Sequence, residues 1–202
     1  MRRPAVRPPG CLLLAALLVG ACTGGSPTGP AAPSAATIAT AAPVGSAASG
    51  GSTGQFSATD VAWLHLTVAM NERLLPVLEL TPSRSTDAQW LTFVARLGTA
   101  HRTDLSTARR LLAESGAPAT NPHEGHDMPG MVTDEELAAL RSATGVAFQR
   151  RARQHVRAHL DQAVRIAAAE QRAGTHRATT ALASAVVRTG NADLTWLDRA
   201  DR

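Results

Sequence analysis

The sequence predicts an all-α fold, a four-helix bundle built from two repeated helical hairpins with a loop and a short helix between them. Three observations lead there. From Asp60 onward, apolar residues recur at the spacing of one helix face. Ser, Thr and Asp caps and Gly or Pro stops divide that stretch into long segments and one short one. The two halves also align without a gap at an offset of 89, so that Met70 to Asp104 and His159 to Asp193 both span 34 residues. Neither hairpin can bury its apolar stripe alone, so each is expected to pack against the other.

Before the bundle come two segments that carry no fold. Residues 1–21 read as a leader: three arginines precede an apolar run, Cys11 to Val19, too short to span a bilayer. Val19-Gly20-Ala21-Cys22 resembles a bacterial lipobox, which makes Cys22 the expected lipidated N-terminus. Cys11 leaves with the leader, so no thiol remains for a disulfide framework and core packing must hold the exported domain together. Residues 22–56 form a tether rich in Ala, Gly, Ser, Thr and Pro; Thr23 to Thr59 has no charged residue. As a flexible coil it would reach roughly 30 Å.

The domain proper is assigned to 57–202. Its first hairpin, 57–116, opens with Ser57 or Thr59 as N-cap, and Val61, Leu64, Val68, Asn71, Leu75 and Leu78 form one face. Pro76 inside that face predicts a kink or an early stop. Thr81-Pro82-Ser83-Arg84 is the turn, and Thr86-Asp87-Ala88-Gln89 reads as a capping box for a second helix ended by Gly116 and Pro118. That helix carries His101 and Asp104 on its apolar side. In 117–144, a His/Met loop leads to a capping box at Thr133-Asp134-Glu135-Glu136 and a short helix to about Ser142. The second hairpin, 145–202, has Phe148, Ala152, His155, His159, Ala163, Ile166 and Glu170 as the inner face of its first helix, with Arg150, Arg153, Arg157 and Arg165 mostly outside. Gly174 ends that helix, and the last one, from about His176, offers Leu182, Val186, Gly190, Asp193 and Leu197.

Over Asp60 to Leu197 the chain resembles the domain-of-unknown-function family 305, carried most specifically by Met128-Pro129-Gly130-Met131-Val132-Thr133, Glu135-Glu136-Leu137, Leu140, Gly145 and Phe148. The resemblance implies a ferritin-like bundle, secreted or lipid-anchored and associated with copper. The family pattern has a paired histidine in the first helix of each hairpin and Gln-x-x-Glu-Ile in the second. Here the paired positions read Met70-Asn71 and His159-Leu160, and the others read His101-x-x-Asp104-Leu105 and Gly190-x-x-Asp193-Leu194. The core site that the resemblance implies is thus reduced to one histidine and two shortened carboxylates.

Two groups of residues are candidate metal ligands. The loop offers His123, His126, Met128 and Met131 beside Glu124 and Asp127; imidazole with thioether favours copper, and Met suits Cu(I). The bland reading of this loop is a solvated linker that fixes the entry of the next helix. His155 and His159 stand four apart on one helix and could reach one ion, but the pair lacks the adjacent Glu of a zinc-protease signature. Their bland reading is a pair of core-edge histidines bonded to Asp104, Asp193 or backbone. Met70, opposite His159 in the repeat, is either a soft ligand or core filler. His101, Asp104 and Asp193 make a secondary buried polar cluster, in which each carboxylate needs a His, an Arg or a metal as partner.

Composition excludes other classes. All 20 basic residues are Arg, and beyond the leader 17 Arg face 16 acids, so the net charge of +4 overstates the basicity. Aromatics are 3% and Tyr is absent, which leaves nothing for a nucleic-acid surface. A di-iron oxidase needs four inward carboxylates, and no Gly-x-Ser-x-Gly or phosphate-binding loop occurs, so no enzyme is expected. The expected function is a lipid-anchored, extracytoplasmic metal-handling module, copper being the expected ion. The alternative is an interaction bundle that has lost its site. Residues 146–202 carry 10 Arg against 5 acids, a face suited to self-association, to an envelope protein partner or to acidic headgroups.

Overall fold

The structure, a computed structural model, describes residues 54–118, 120–123 and 125–200. The leader, Cys22 and most of the tether lie outside the described residues. Among those described there are five α-helices and no strand: α1 (Ala58–Leu80), α2 (Ala88–Ser115), α3 (Asp134–Ser142), α4 (Gly145–Ala173) and α5 (Arg177–Ala200), with a 3-10 turn at Thr81–Ser83. The fold is all-α, as the periodicity predicts. None of the described helices is long and apolar enough to cross a membrane.

Local chemistry sets the helix ends. Ser57 and Asp60 form a reciprocal capping box at the start of α1, and Thr133 and Glu136 form another at α3. At α2 the expected box at Thr86 is not used. Asp87 is the N-cap instead, its carboxylate accepting from the Gln89 and Trp90 N–H groups at 3.1 and 3.0 Å. The other carboxylate oxygen of Asp87 accepts from Gln149 and Arg153 on α4, so one cap also ties two hairpins together. Gly116 ends α2 with φ +71, a conformation that suits glycine.

Pro76 does not stop α1, which runs on to Leu80. An interior proline costs about 3 kcal/mol. Beyond it, however, Val77 and Leu78 are 0% and 3% exposed, and burying two such side chains returns about 1.5–3 kcal/mol each. Packing outweighs the missing hydrogen bond.

Each hairpin pairs its two long helices, α1 with α2 and α4 with α5, and the hairpins meet mainly through α1 against α4. Leu64, Leu74, Trp90, Leu97, Leu111, Phe148, Leu160 and Leu197 fill the interior, and Leu140 of α3 is buried with them. The Arg-bearing face of α4 is less solvated than its sequence suggests. Arg153 lies 4.7 Å above the Trp90 ring and pairs with Asp87, and Arg157 pairs with Asp198 at 2.7 Å.

One end of the bundle is fastened by an acidic pair. Asp60, fully buried, accepts from Ser57 N–H and Oγ at 2.7 and 2.6 Å, and from Thr175 and His176 N–H in the α4–α5 turn at 3.2 and 3.1 Å. Burial alone would raise its pKa, but hydrogen bonds from Glu170, Ser57 and Thr175 prevail and hold it well below the usual carboxylate range. Glu170 is pushed up to about 8, first by burial and then by its hydrogen bond to Asp60 and the charge there. Neither buried Glu170 oxygen has a well-formed hydrogen bond among the described residues, and the nearness of Asp60 favours the protonated form of its carboxyl.

Candidate metal centre

The Met128-Pro129-Gly130-Met131 stretch folds as a turn, closed by Met131 N–H to the Met128 carbonyl at 3.0 Å. Gly130 has φ +83, and a Cβ there would lie 2.6 Å from Gln162 Cβ and 2.8 Å from the Ala158 carbonyl oxygen. Only glycine lets the loop lie this close against α4, on the turn that carries His159. Docked so, Met131 is buried and packs in one cluster with Met70 and Ala69 of α1, with Met128 partly buried against it.

Next to this cluster lies a cavity of about 20 Å³, lined among others by Trp63, Met70, Asn71, His101, Asp104 and His159. That is room for a single atom or water. The His101 and His159 rings meet edge to face, centroids 4.9 Å apart. Asn71 donates through Nδ2 to the Thr67 carbonyl at 2.7 Å, which turns its Oδ1 toward His101 Nδ1 at 2.6 Å. His101 therefore carries its proton on Nδ1 and keeps a lone pair on Nε2. Burial pushes the His101 pKa down to about 4. His159 lies well below its usual range too, by burial first and then by the nearness of His101, with the Gly130 backbone a partial offset. Both rings are neutral at ordinary pH, the form in which imidazole ligates metal.

His159 is 1% exposed; the Gly130 backbone approaches its ring, but neither ring nitrogen makes a well-formed hydrogen bond among the described residues. The Trp63 indole N–H, on the same cavity, likewise has none. Asp104, half-buried at the cavity edge, has its pKa pushed up to about 6 by burial.

The sequence-derived ligands thus separate into several places. Met70, His101, Asp104 and His159 share the cavity, and Met131 and Met128 adjoin it through Met70. His155 does not join His159: it is half-buried beside Glu136 of α3, Nδ1 to Oε2 3.9 Å, because the loop and α3 cover that side of α4. Asp193 does not join His101 and Asp104 either, since Arg96 takes its carboxylate at 2.7 Å. His126 is exposed, and His123 lines a different cavity together with His65, a residue that the sequence reading did not select. Among the described residues no three His, Cys, Asp or Glu side chains come together in a group that could hold a metal. The polyvalent carboxylate site of a di-iron bundle is accordingly not built here. The donors that line the cavity are two neutral imidazoles, the Met70 thioether and the Asp104 carboxyl, with the Met131 and Met128 thioethers adjoining through Met70.

An all-α domain with a buried His/Met cluster, closed by the loop between two hairpins, is the class of protein these observations define. The family model of the domain of unknown function DUF305 matches residues 60–200, and the chain belongs to that family. Its fold is similar to the crystal structure of a DUF305 protein from Streptomyces coelicolor described as secreted, with TM-score 0.63 and 16% identity over 69% of this chain and 89% of that one. It is also similar to a DUF305 fragment from Deinococcus radiodurans, with TM-score 0.66 and 16% identity over 72% and 97% of the two chains. At such identity the likeness establishes the fold alone. No curated protein matches the chain.

Proposed function

We propose that this is a lipid-anchored, extracytoplasmic metal-handling domain that holds one Cu(I) ion by His159, Met70 and Met131, with His101 Nε2 at hand as a further donor. The carrying observation is His159, a fully buried imidazole beside the cavity with no well-formed hydrogen bond at either nitrogen and only the Gly130 backbone close by. A buried polar group left unsatisfied costs about 1–3 kcal/mol, and a ligand at the adjoining cavity would relieve it. Thioethers and neutral imidazole favour the cuprous ion over harder cations. Asn71 would orient His101, and the Gly130 turn would keep water from the ion. No reaction is assigned to the domain; it would bind and release. The lipobox-like Cys22, and the secreted description of the Streptomyces coelicolor relative, support a place outside the cytoplasm.

The test is Cu(I) titration against a colorimetric chelator. The expected outcome is one ion per chain, weakened at least ~10-fold in His159→Leu and in Met131→Leu and unchanged in His126→Ala. If His159→Leu binds as the unaltered chain does, the centre lies elsewhere. If no Cu(I) binds at all, the second reading stands: a structural bundle whose cavity holds a water bridging Trp63 N–H and His159.

A further inference from the structure

The other face of α1 carries a second, larger cavity of about 670 Å³, roofed by the inter-hairpin loop and α3. His65, Ala69, Glu72 and Pro76 stand one turn apart along this face, while Trp63, Thr67, Met70 and Asn71 point toward the small cavity. His65 is 5% exposed and lines the cavity, and no described residue hydrogen-bonds to its ring. His123, half-buried, lines the same cavity from the loop.

The pairing of these histidines is fastened by the chain. Asn121 donates through Nδ2 to the His65 carbonyl at 2.9 Å and accepts the His123 N–H through Oδ1 at 2.9 Å. One amide side chain thus grips both residues. Arg73 adds a hydrogen bond to the Val132 carbonyl at 3.2 Å and a contact to Asp127 at 3.6 Å, holding the loop over the cavity. His65 is held below its usual pKa by burial first and then by the positive charge His123 would bring, a mark of their proximity.

We propose that His65 and His123 form a second cation site, separate from the Met70/His159 centre, that takes a borderline divalent ion of the Zn(II) or Cu(II) type. Imidazole suits borderline ions of this type. Glu72 on the same wall is engaged by Arg109 at 2.6 Å, so the remaining coordination positions face the cavity and stay open to water or a small anion. An open position of this kind distinguishes an exchange or ligand-binding site from a closed structural one.

Zn(II), which has no redox chemistry, is the probe. It is titrated calorimetrically into the full chain in detergent at neutral pH. Saturable one-to-one binding is expected, weakened at least ~10-fold by His65→Gln and by His123→Gln, and held within about twofold by Met131→Leu and His126→Ala. Cu(I) affinity should be the same in His123→Gln as in the unaltered chain, which separates this site from the core centre. His123 lies on the loop, so its variant carries the test even if His65→Gln fails to fold by circular dichroism. Zn(II) binding that both histidine variants leave intact, or no Zn(II) binding at all, overturns the proposal.

Discussion

At one end of the domain, Asp60 buries its carboxylate against Ser57, Thr175 and His176, so that both Asp60 oxygens accept hydrogen bonds from the chain itself. Midway along the bundle, His159 is buried as deeply and neither nitrogen is accounted for. Both regions place polar groups in an apolar interior, and the chain satisfies Asp60 fully while leaving Glu170 and His159 without well-formed partners. What sets His159 apart from Glu170 is the small cavity it lines with His101 and Met70, the feature on which the proposed metal centre rests.

The comparison is broken most severely by Asp60→Ala. It strips the α4–α5 turn of its acceptor and leaves Glu170 buried without a partner, and a loss of about 3–5 kcal/mol is expected in urea unfolding. A loss below about 1 kcal/mol would show that the pair is not a fastener. Next in size is Gly130→Ala. The positive φ and the contact with Gln162 together predict about 2–3 kcal/mol of destabilisation, with weakened Cu(I) binding as the loop lifts from α4. Unchanged Cu(I) affinity in that variant would detach the loop methionines from the centre.

The pH response tests the same end of the bundle. Glu170 has its folded pKa raised from 4.5 to about 8, so folding takes up a proton between those values. Its contribution is therefore fully present below about pH 4.5 and is lost as pH rises to about 8. Asp60 is lowered instead, so its contribution is present above its ordinary 3.8 and is lost as the medium becomes more acidic. Glu170→Gln should flatten the fall in melting temperature between pH 5 and 8 while leaving the acid limb in place. A profile as steep as that of the unaltered chain would mean that Glu170 is not the titrating group. The smallest expected change in stability is that of His159→Leu, within about 1 kcal/mol or even stabilising, because an unpaired polar group gives way to an apolar one. A large loss there would place His159 among the structural groups with Asp60.

Much of the domain was legible because the signals are local. The Ser57 N-cap, one of two candidates, the Thr133/Glu136 cap and the Gly116 stop each involve residues within a turn or two. The repeat also brought Met70 and His159 to one cavity, as the alignment of the two halves implied. The early stop that Pro76 offered is not taken, because a breaker read alone ignores the burial of Val77 and Leu78 beyond it. His155 misled because i, i+4 spacing gives a face without saying what covers each part of it. His65 stayed hidden as a lone polar residue beside Leu64, and nothing in its neighbours announces a second cavity.

The sequence by itself determined the helices, most of their ends and the kinds of donor available, since propensity, capping and periodicity act over short stretches of chain. Tertiary structure alone decided which donors meet. Asp60 finds Thr175 across 115 residues, His101 finds Asn71, Arg96 takes Asp193 out of the expected cluster, and the loop divides its ligands between two faces of α1. Those outcomes follow from how helices rotate and approach when the core closes, and the energy of that closure is spread over the whole bundle rather than written at any one of these positions.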